Sequence, residues 1–197
     1  MRQSIPTGQW FVSRDAQNWW FDSGSVALDF AYTGGFGERW ESLHSPADLA
    51  EWITSRFTGI SGDISERELQ DAKRMRAALA RMALAASRAE PALAEDVDVI
   101  NLFAATPDIP PAALTGGSAR RAGRATVKPD QALATMAREA VEIFSESQDR
   151  IRECSARDCG LVFYDDSRSN NRRWCSMQRC GNRAKVRAHR SRSLVPH

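Results

Sequence analysis

The sequence predicts a mainly α protein with small β elements, of the α+β class: a helical N-terminal domain followed by a small C-terminal module. Three observations carry this. Segments 64–90 and 129–147 repeat apolar residues at steps of three and four. All four cysteines, Cys154, Cys159, Cys175 and Cys180, fall in the last 44 residues. The charge is divided: Arg150 to His197 carry 12 Lys and Arg against 4 acidic residues, and the preceding 149 residues carry 15 against 21.

The 197 residues suffice for one hydrophobic core, or one core plus a satellite. An apolar content of 42% and a charged content of 26% are ordinary for a soluble globular chain. No apolar run approaches the roughly 18 residues of a membrane span. The first twenty residues lack the continuous apolar stretch of a secretory signal. A cytoplasmic protein with no membrane partner is expected.

Residues 1–23, polar and aromatic, read as an irregular arm. "SVALDFAYT" (25–33) reads as a short buried strand or a helix start. "SPADLAEWITSRF" opens a helix with Ser45 as cap, Pro46 at the first helical position and Asp48 three residues after the cap, with Leu49, Trp52 and Ile53 inward. The clearest helix comes next. Ser65 and Glu68 form its capping box, Leu69, Ala72, Met75, Leu79, Met82 and Ala86 its inner stripe. Arg67, Lys73, Arg74, Arg81 and Arg88 form a solvated face. A shorter helix spans Ala92 to Ala105, ended by "TPDIPP". "ALTGGSARRAGRATVKP" reads as a hairpin around a Gly-Gly turn. "PDQALATMAREAVEIFSES" is the second long helix, with Leu133, Met136, Ala137, Ala140, Val141 and Phe144 inward. The helical domain therefore covers 24–148, and it is expected to fold without the C-terminal module.

The cysteines are spaced C-x4-C-x15-C-x4-C. Two short pairs separated by a hairpin-sized insert are the layout of a structural zinc site, each pair on a tight turn so that four thiolates converge. Four thiolates close the coordination shell, so the single Zn2+ per chain is structural rather than catalytic. Redox-active thiols are the competing reading; disulfides do not suit a cytoplasmic chain. "CGLVFYDD" reads as a short strand and "SRSNNRRW" as a turn leading into a second strand. Ser176 then caps a helix running to about Ser191, with Cys180 in its first turn. Met177, Gly181, Ala184 and Ala188 share the inner face; Arg179, Arg183, Arg187 and Arg190 lie on another, with Asn182 beside them. This is a treble-clef-like zinc finger over 149–192, with a tail at 193–197.

"RRWCSMQRCGNRAKVRAHRSR" (172–192) resembles the signature of the CGNR zinc-finger family, and the upstream "C-x4-CG-x-VFYD-x-SR" is similar to it. "VALDFAYTGG" followed by "SPADLAEWI" resembles the start of ABATE, the domain that commonly precedes that finger, with Tyr32 where the family usually has an asparagine. Together the two cover roughly 24–191. The resemblance implies DNA-binding transcription regulation. It says nothing of an arm bearing Trp10, Trp19 and Trp20.

The charge division points the same way, because an acidic body with a basic tail brings only the tail to a polyanion. Double-stranded DNA is the expected partner. Asn182 and Arg183 are residue types that bond base edges, and the competing reading, from their place just after a zinc ligand, makes them internal props that bond the zinc loop's backbone or its thiolates; Arg172 and Arg173 are expected on phosphates; Lys185, Arg187 and Arg190 complete the basic surface. One small module binds weakly, so a homodimer on two half-sites is expected. The body would dimerise or sense a small-molecule effector, whose binding residues the sequence does not name. The alternatives are a zinc-stabilised protein-interaction module and a thiol-based redox sensor. An enzyme is not expected. The three histidines, His44, His189 and His197, form no triad or HExxH pattern, and "TGG" is too short for a nucleotide loop. Asp22, Asp29 and Glu38 read as surface or capping carboxylates. Trp10, Trp19, Trp20, Trp40 and Trp52 read as core filling, with an aromatic ligand pocket as the alternative.

Overall fold

A computed structural model describes residues 5–13, 16–108, 113–115, 120–122 and 127–193. The chain opens with a hairpin of β1 (Gln9–Val12) and β2 (Asn18–Phe21) in place of the irregular arm expected there. Its strands are almost wholly aromatic and apolar, residues that favour a pleated, half-buried surface. Phe11, Trp19 and Phe21 face inward, and Trp10, Val12 and Trp20 face outward.

"VALDFA" is helical: α1 (Val26–Ala31) is buried along its whole length, capped by the Ser25 hydroxyl accepting from Leu28 N. Glu139 supplies a second cap from 112 residues away, accepting from Ala27 N at 2.8 Å and from the Ser25 hydroxyl at 2.8 Å. Helix α2 (Pro46–Arg56) starts on the Ser45/Asp48 capping box and α3 (Glu66–Ser87) on the Ser65/Glu68 box. The predicted inner residues of α3 are all buried. So is Arg76, whose guanidinium pairs with Glu41 and donates to Thr33 O; burial of an arginine is tolerated only with such partners. Arg81, read as solvated, reaches the buried Asp96 on α4 (Ala94–Ala104).

Strands β3 (Ala113–Thr115) and β4 (Arg120–Ala122) pair antiparallel as read; the Gly116–Gly117 turn between them lies outside the described residues. Helix α5 (Pro129–Glu146) buries Leu133, Met136, Ala137 and Ala140, while Phe144 is half-buried. Val141, expected inward, is exposed, and Ile143 is buried instead. Helices α1 to α5 enclose the main core.

The C-terminal part begins after a 3-10 turn at Gln148–Arg150. Its hairpin is β5 (Ile151–Glu153) with β6 (Val162–Tyr164), so the strand pairing with "VFY" comes before the first cysteine, not after the "SRSNNRRW" turn. That turn runs on without a strand because its backbone is committed elsewhere: the buried Asp165 accepts from Ser167 N and Arg172 N, and Arg150 donates to Asp165 O and Ser167 O. A π-helical turn (Met177–Gly181) leads into α6 (Asn182–Ser193).

The two parts share their cores. One cluster joins Phe11, Phe21 and Tyr32 to Leu161, Phe163 and the cysteines; another joins Leu28, Ala83, Ala86 and Ile143 to Ile151 and Val162. A helical domain cut at residue 148 would leave both faces bare, against the expectation that it folds alone.

Candidate metal centre and basic helix

The first cysteine pair sits on the turn between β5 and β6. Cys154 N donates to Leu161 O (2.8 Å) and Cys159 N to Ala156 O (3.0 Å). The second pair flanks the π-helical turn, where Cys180 N and Gly181 N both donate to Ser176 O (3.0 Å each). On an α-helix a residue five positions on points about 140° away. Cys175, however, lies off the helix, just before its extended cap Ser176, and the π turn that follows carries Cys180 to within 3.5 Å of the Cys175 sulfur. Gly181 closes this turn against Met177 and Trp174: a Cβ there would lie 2.7 Å from the Met177 sulfur.

The four sulfurs lie within 4.8 Å of one another, with Cys159–Cys175 and Cys175–Cys180 at 3.5 Å. A tetrahedral zinc with bonds of about 2.3 Å sets its sulfurs about 3.8 Å apart, so the donor set fits one zinc ion. None of the four is disulfide-bonded, and only Cys159 is less than fully buried. Four thiols at this spacing cannot all ionise unaided: hydrogen bonding and charge from Cys154 and Cys159 push the Cys175 thiol far up. A divalent cation removes that conflict, and its binding is the folding energy of so small a module. Here it would be structural, holding the turn of β5 and β6 to the start of α6.

Arginines finish the centre. Arg183 donates to the Cys180 sulfur (3.2 Å) and to Asp158 (3.0 Å), and Arg187 reaches the same carboxylate (3.3 Å). Asp158 lies between the first two cysteines, so it ties α6 to their turn; the Arg187 hydrogen bond, first among several causes, lowers its pKa. Arg172 donates to Trp174 O, Cys175 O and Asp22 O and lies 4.3 Å over the Phe163 ring. Arg172 and Arg183, expected on DNA, are thus engaged within the finger: one organises the loop before Cys175, and the other, half-exposed, supports a thiolate. Arg173, Asn182, Lys185, Arg187 and Arg190 are exposed. Met177, read as inner, is exposed, Gly181 is buried, and the Ala188 side chain lies outside the described residues.

Sequence reasoning missed Tyr32. Its hydroxyl donates to Val162 O (3.0 Å) and accepts from Val162 N (2.8 Å), capturing both groups on the open edge of β6. The departure from the family's asparagine was the available signal. Asp158 gave none, being a single acid in a basic segment; Asp165 stood in the family-like VFYD stretch, but its role as the acceptor of the turn was not read from it. The tryptophans divide. Trp52 packs on the main core, Trp19, Trp40 and Trp174 pack around the cysteines, and Trp10 and Trp20 are exposed. Asp29 is buried beneath the hairpin, accepting from Gly8 N (2.5 Å) and the Ser23 hydroxyl (2.6 Å), and burial pushes its carboxyl up to about 6. Asp22 caps its own turn through Gly24 N. An open groove of about 540 Å³ lies between the end of α3 and the finger, lined in part by Arg88, Arg152 and Arg173.

Residues 150–193 match the family model of the CGNR zinc finger. Residues 24–147 match that of ABATE, described as "Putative stress-induced transcription regulator". No curated protein matches the chain. The hairpin lies outside both matched segments, although it packs on the residues of the second.

Proposed function

We propose, for a chain that belongs to the ABATE family and ends in a CGNR zinc finger, that it is a non-catalytic, DNA-binding transcription regulator whose finger carries the DNA surface. The observation that carries this is α6. Its described residues are exposed or half-buried and it has no acidic side chain, yet its start is fastened by Cys180 in the preceding turn and by Arg183 on Asp158. A helix that buries so little and is fastened at its start presents its outer face to something else. Lys185, Arg187 and Arg190 offer phosphate contacts, and Asn182 at the first turn offers a base edge. The Arg187–Asp158 pair is half-exposed and costs little to exchange for a phosphate. Two copies on two half-sites would supply the affinity one small module lacks. The groove beside α3 is where an anionic effector would reach both parts.

The test is duplex binding by the zinc-loaded chain as a function of salt. Arg190→Ala should weaken all sequences alike and lower the salt slope by about one. Asn182→Ala should relax preference at one position, costing about 1–3 kcal/mol on the preferred site. A salt-independent affinity that survives removal of Lys185 and Arg190 together would sink the reading and favour an acidic protein partner. Thiol-based sensing can accompany DNA binding: Cys159 is the partly exposed ligand through which an oxidant would enter.

A further inference from the structure

Helix α6, NRAKVRAHRSRS, holds one large apolar residue, Val186, and its side chain is 50% exposed. Among the described residues of the finger, Met177 is the other exposed large apolar side chain, and it is set over Gly181 within the preceding turn. Val186 stands out on the helix, among cations. It does little for the helix itself. A β-branched residue has a lower helix propensity than the alanines, lysine and arginines around it, and half of its surface stays in water.

The neighbours define which way it faces. Arg183 and Arg187 reach back to Asp158 between the first two cysteines (3.0 and 3.3 Å), and Ala184 is half-buried. At about 100° per residue, Val186 lies roughly 160° from Ala184, nearly opposite it. Asn182 and Arg190, one turn before and one turn after, each lie about 40° from Val186. Asn182, Val186 and Arg190 therefore form one exposed line, with Lys185 to one side of it and Arg187 to the other. Such a face matches a surface that is apolar at its centre and anionic at both edges. The major groove of a duplex has that layout: phosphates line its walls, and the thymine C5-methyl is the apolar group on its floor. Free phosphate or acidic side chains would answer the cations and leave the valine unmatched.

Resting on the nucleic-acid reading of α6, we infer that Val186 is a specificity-determining residue that reads a thymine through its methyl group. Four residues of helix rise about 6 Å, roughly two base pairs of duplex. The thymine therefore lies within about two base pairs of the base met by Asn182.

The experiment uses the full zinc-loaded chain and a duplex that it selects from a randomised library. Each thymine of that duplex is replaced in turn by deoxyuridine, which pairs identically and lacks only the methyl. At one position the wild type should bind the uracil duplex about fourfold more weakly, the contribution of one buried methyl. Val186→Ala should bind the two duplexes alike and keep the wild-type zinc content and helicity, while Val186→Ile keeps the discrimination. Wild-type affinity that is indifferent to uracil at every position overturns the inference, as does a thymine preference that survives in Val186→Ala. A selected duplex without thymine, or selection that yields no preferred sequence, overturns it too. A wild-type dimer that Val186→Ala splits, with the thymine preference unchanged, assigns the residue to a second copy and overturns it as well. Binding of no duplex at all means that the reading of α6 has failed, and the methyl contact with it. Duplex binding that ignores uracil leaves that reading standing and removes only the contact.

Discussion

Helices α3 and α6 both carry rows of arginine, yet they are held in opposite ways. Helix α3 buries ten of its 22 residues, and its place is dictated by what it covers. Among the described residues of α6 none is buried, and its place is dictated by what it is fastened to: the Cys180 sulfur, the Asp158 carboxylate and the turn capped by Ser176. Arginine changes meaning between them. On α3 the buried Arg76 is a polar fastener inside an apolar core; on α6 the half-exposed Arg183 supports a metal site, and its neighbours Lys185 and Arg190 face solvent. Charge count alone does not separate these roles; distance to a sulfur or a carbonyl does.

The comparison breaks most visibly if the fastening is removed. Cys175→Ser should abolish stoichiometric zinc, forfeiting much of the roughly 10–16 kcal/mol by which structural zinc folds such modules. Metal analysis with hydrogen exchange should show α6 and the β1–β2 hairpin unprotected together, because the hairpin packs on the cysteines to which α6 is fastened, with α3 to α5 still protected. Retained protection in the hairpin would mean that the body alone holds it. Truncation after Gln148 should give a chain that aggregates or binds hydrophobic dyes, since Leu28 and Ile143 lose their cover.

Tyr32→Phe sharpens the comparison at the seam. It leaves the Val162 N–H and C=O without their partner, at about 1–3 kcal/mol for each buried group. The loss should fall on the finger, read as faster exchange of the Val162 amide. Arg183→Ala should cost the finger about 1–2 kcal/mol and lower its zinc affinity, whereas Arg190→Ala should leave both unchanged. Equal, negligible effects on stability would return Arg183 to the DNA surface.

A further effect is pH-dependent. The Asp29 carboxyl titrates near 3.8 when unfolded and at about 6 in the fold. The folded state therefore binds the extra proton between these values. The associated stability is fully present below pH 4 and is lost as pH rises through 6, by about 2–3 kcal/mol. Zinc release in acid acts in the opposite direction, so the measurement is the Tm difference between wild type and Asp29→Asn. Wild type should lose ground to the variant from pH 4 to 6 and hold level above.

How much was legible depends on how each part is held. Helices α2, α3 and α5 announce themselves because burial of one face imposes a period, and Ser45 and Ser65 mark the starts of the first two. The cysteine spacing gives the zinc ligands because chelation needs local pairs. The hairpin was illegible as structure: four-residue strands impose too short a period, and part of the cover of their inner face, Leu161, Phe163 and the cysteines, lies more than a hundred positions away. The inward turn of Arg172, and the tie of Arg183 to Asp158, were hidden for the same reason. Their partners are a backbone carbonyl at Asp22 and a lone carboxylate at Asp158, which no spacing rule connects to them. The contact of Arg183 with the Cys180 sulfur was open as the competing reading, from its place just after a zinc ligand.

The seam between the chain's two ends also sets a schedule. The hairpin leaves the ribosome well before Leu161, Phe163 and the cysteines that complete its inner face. At about 5–20 residues per second, roughly 10–30 seconds separate it from Cys180. Through that interval the helical bundle can assemble, while Phe11 and Phe21 have only Tyr32 and Trp40 for cover. Metal capture therefore comes after the bundle, and a shortage of zinc would be registered as exposed aromatic surface far from the cysteines in sequence.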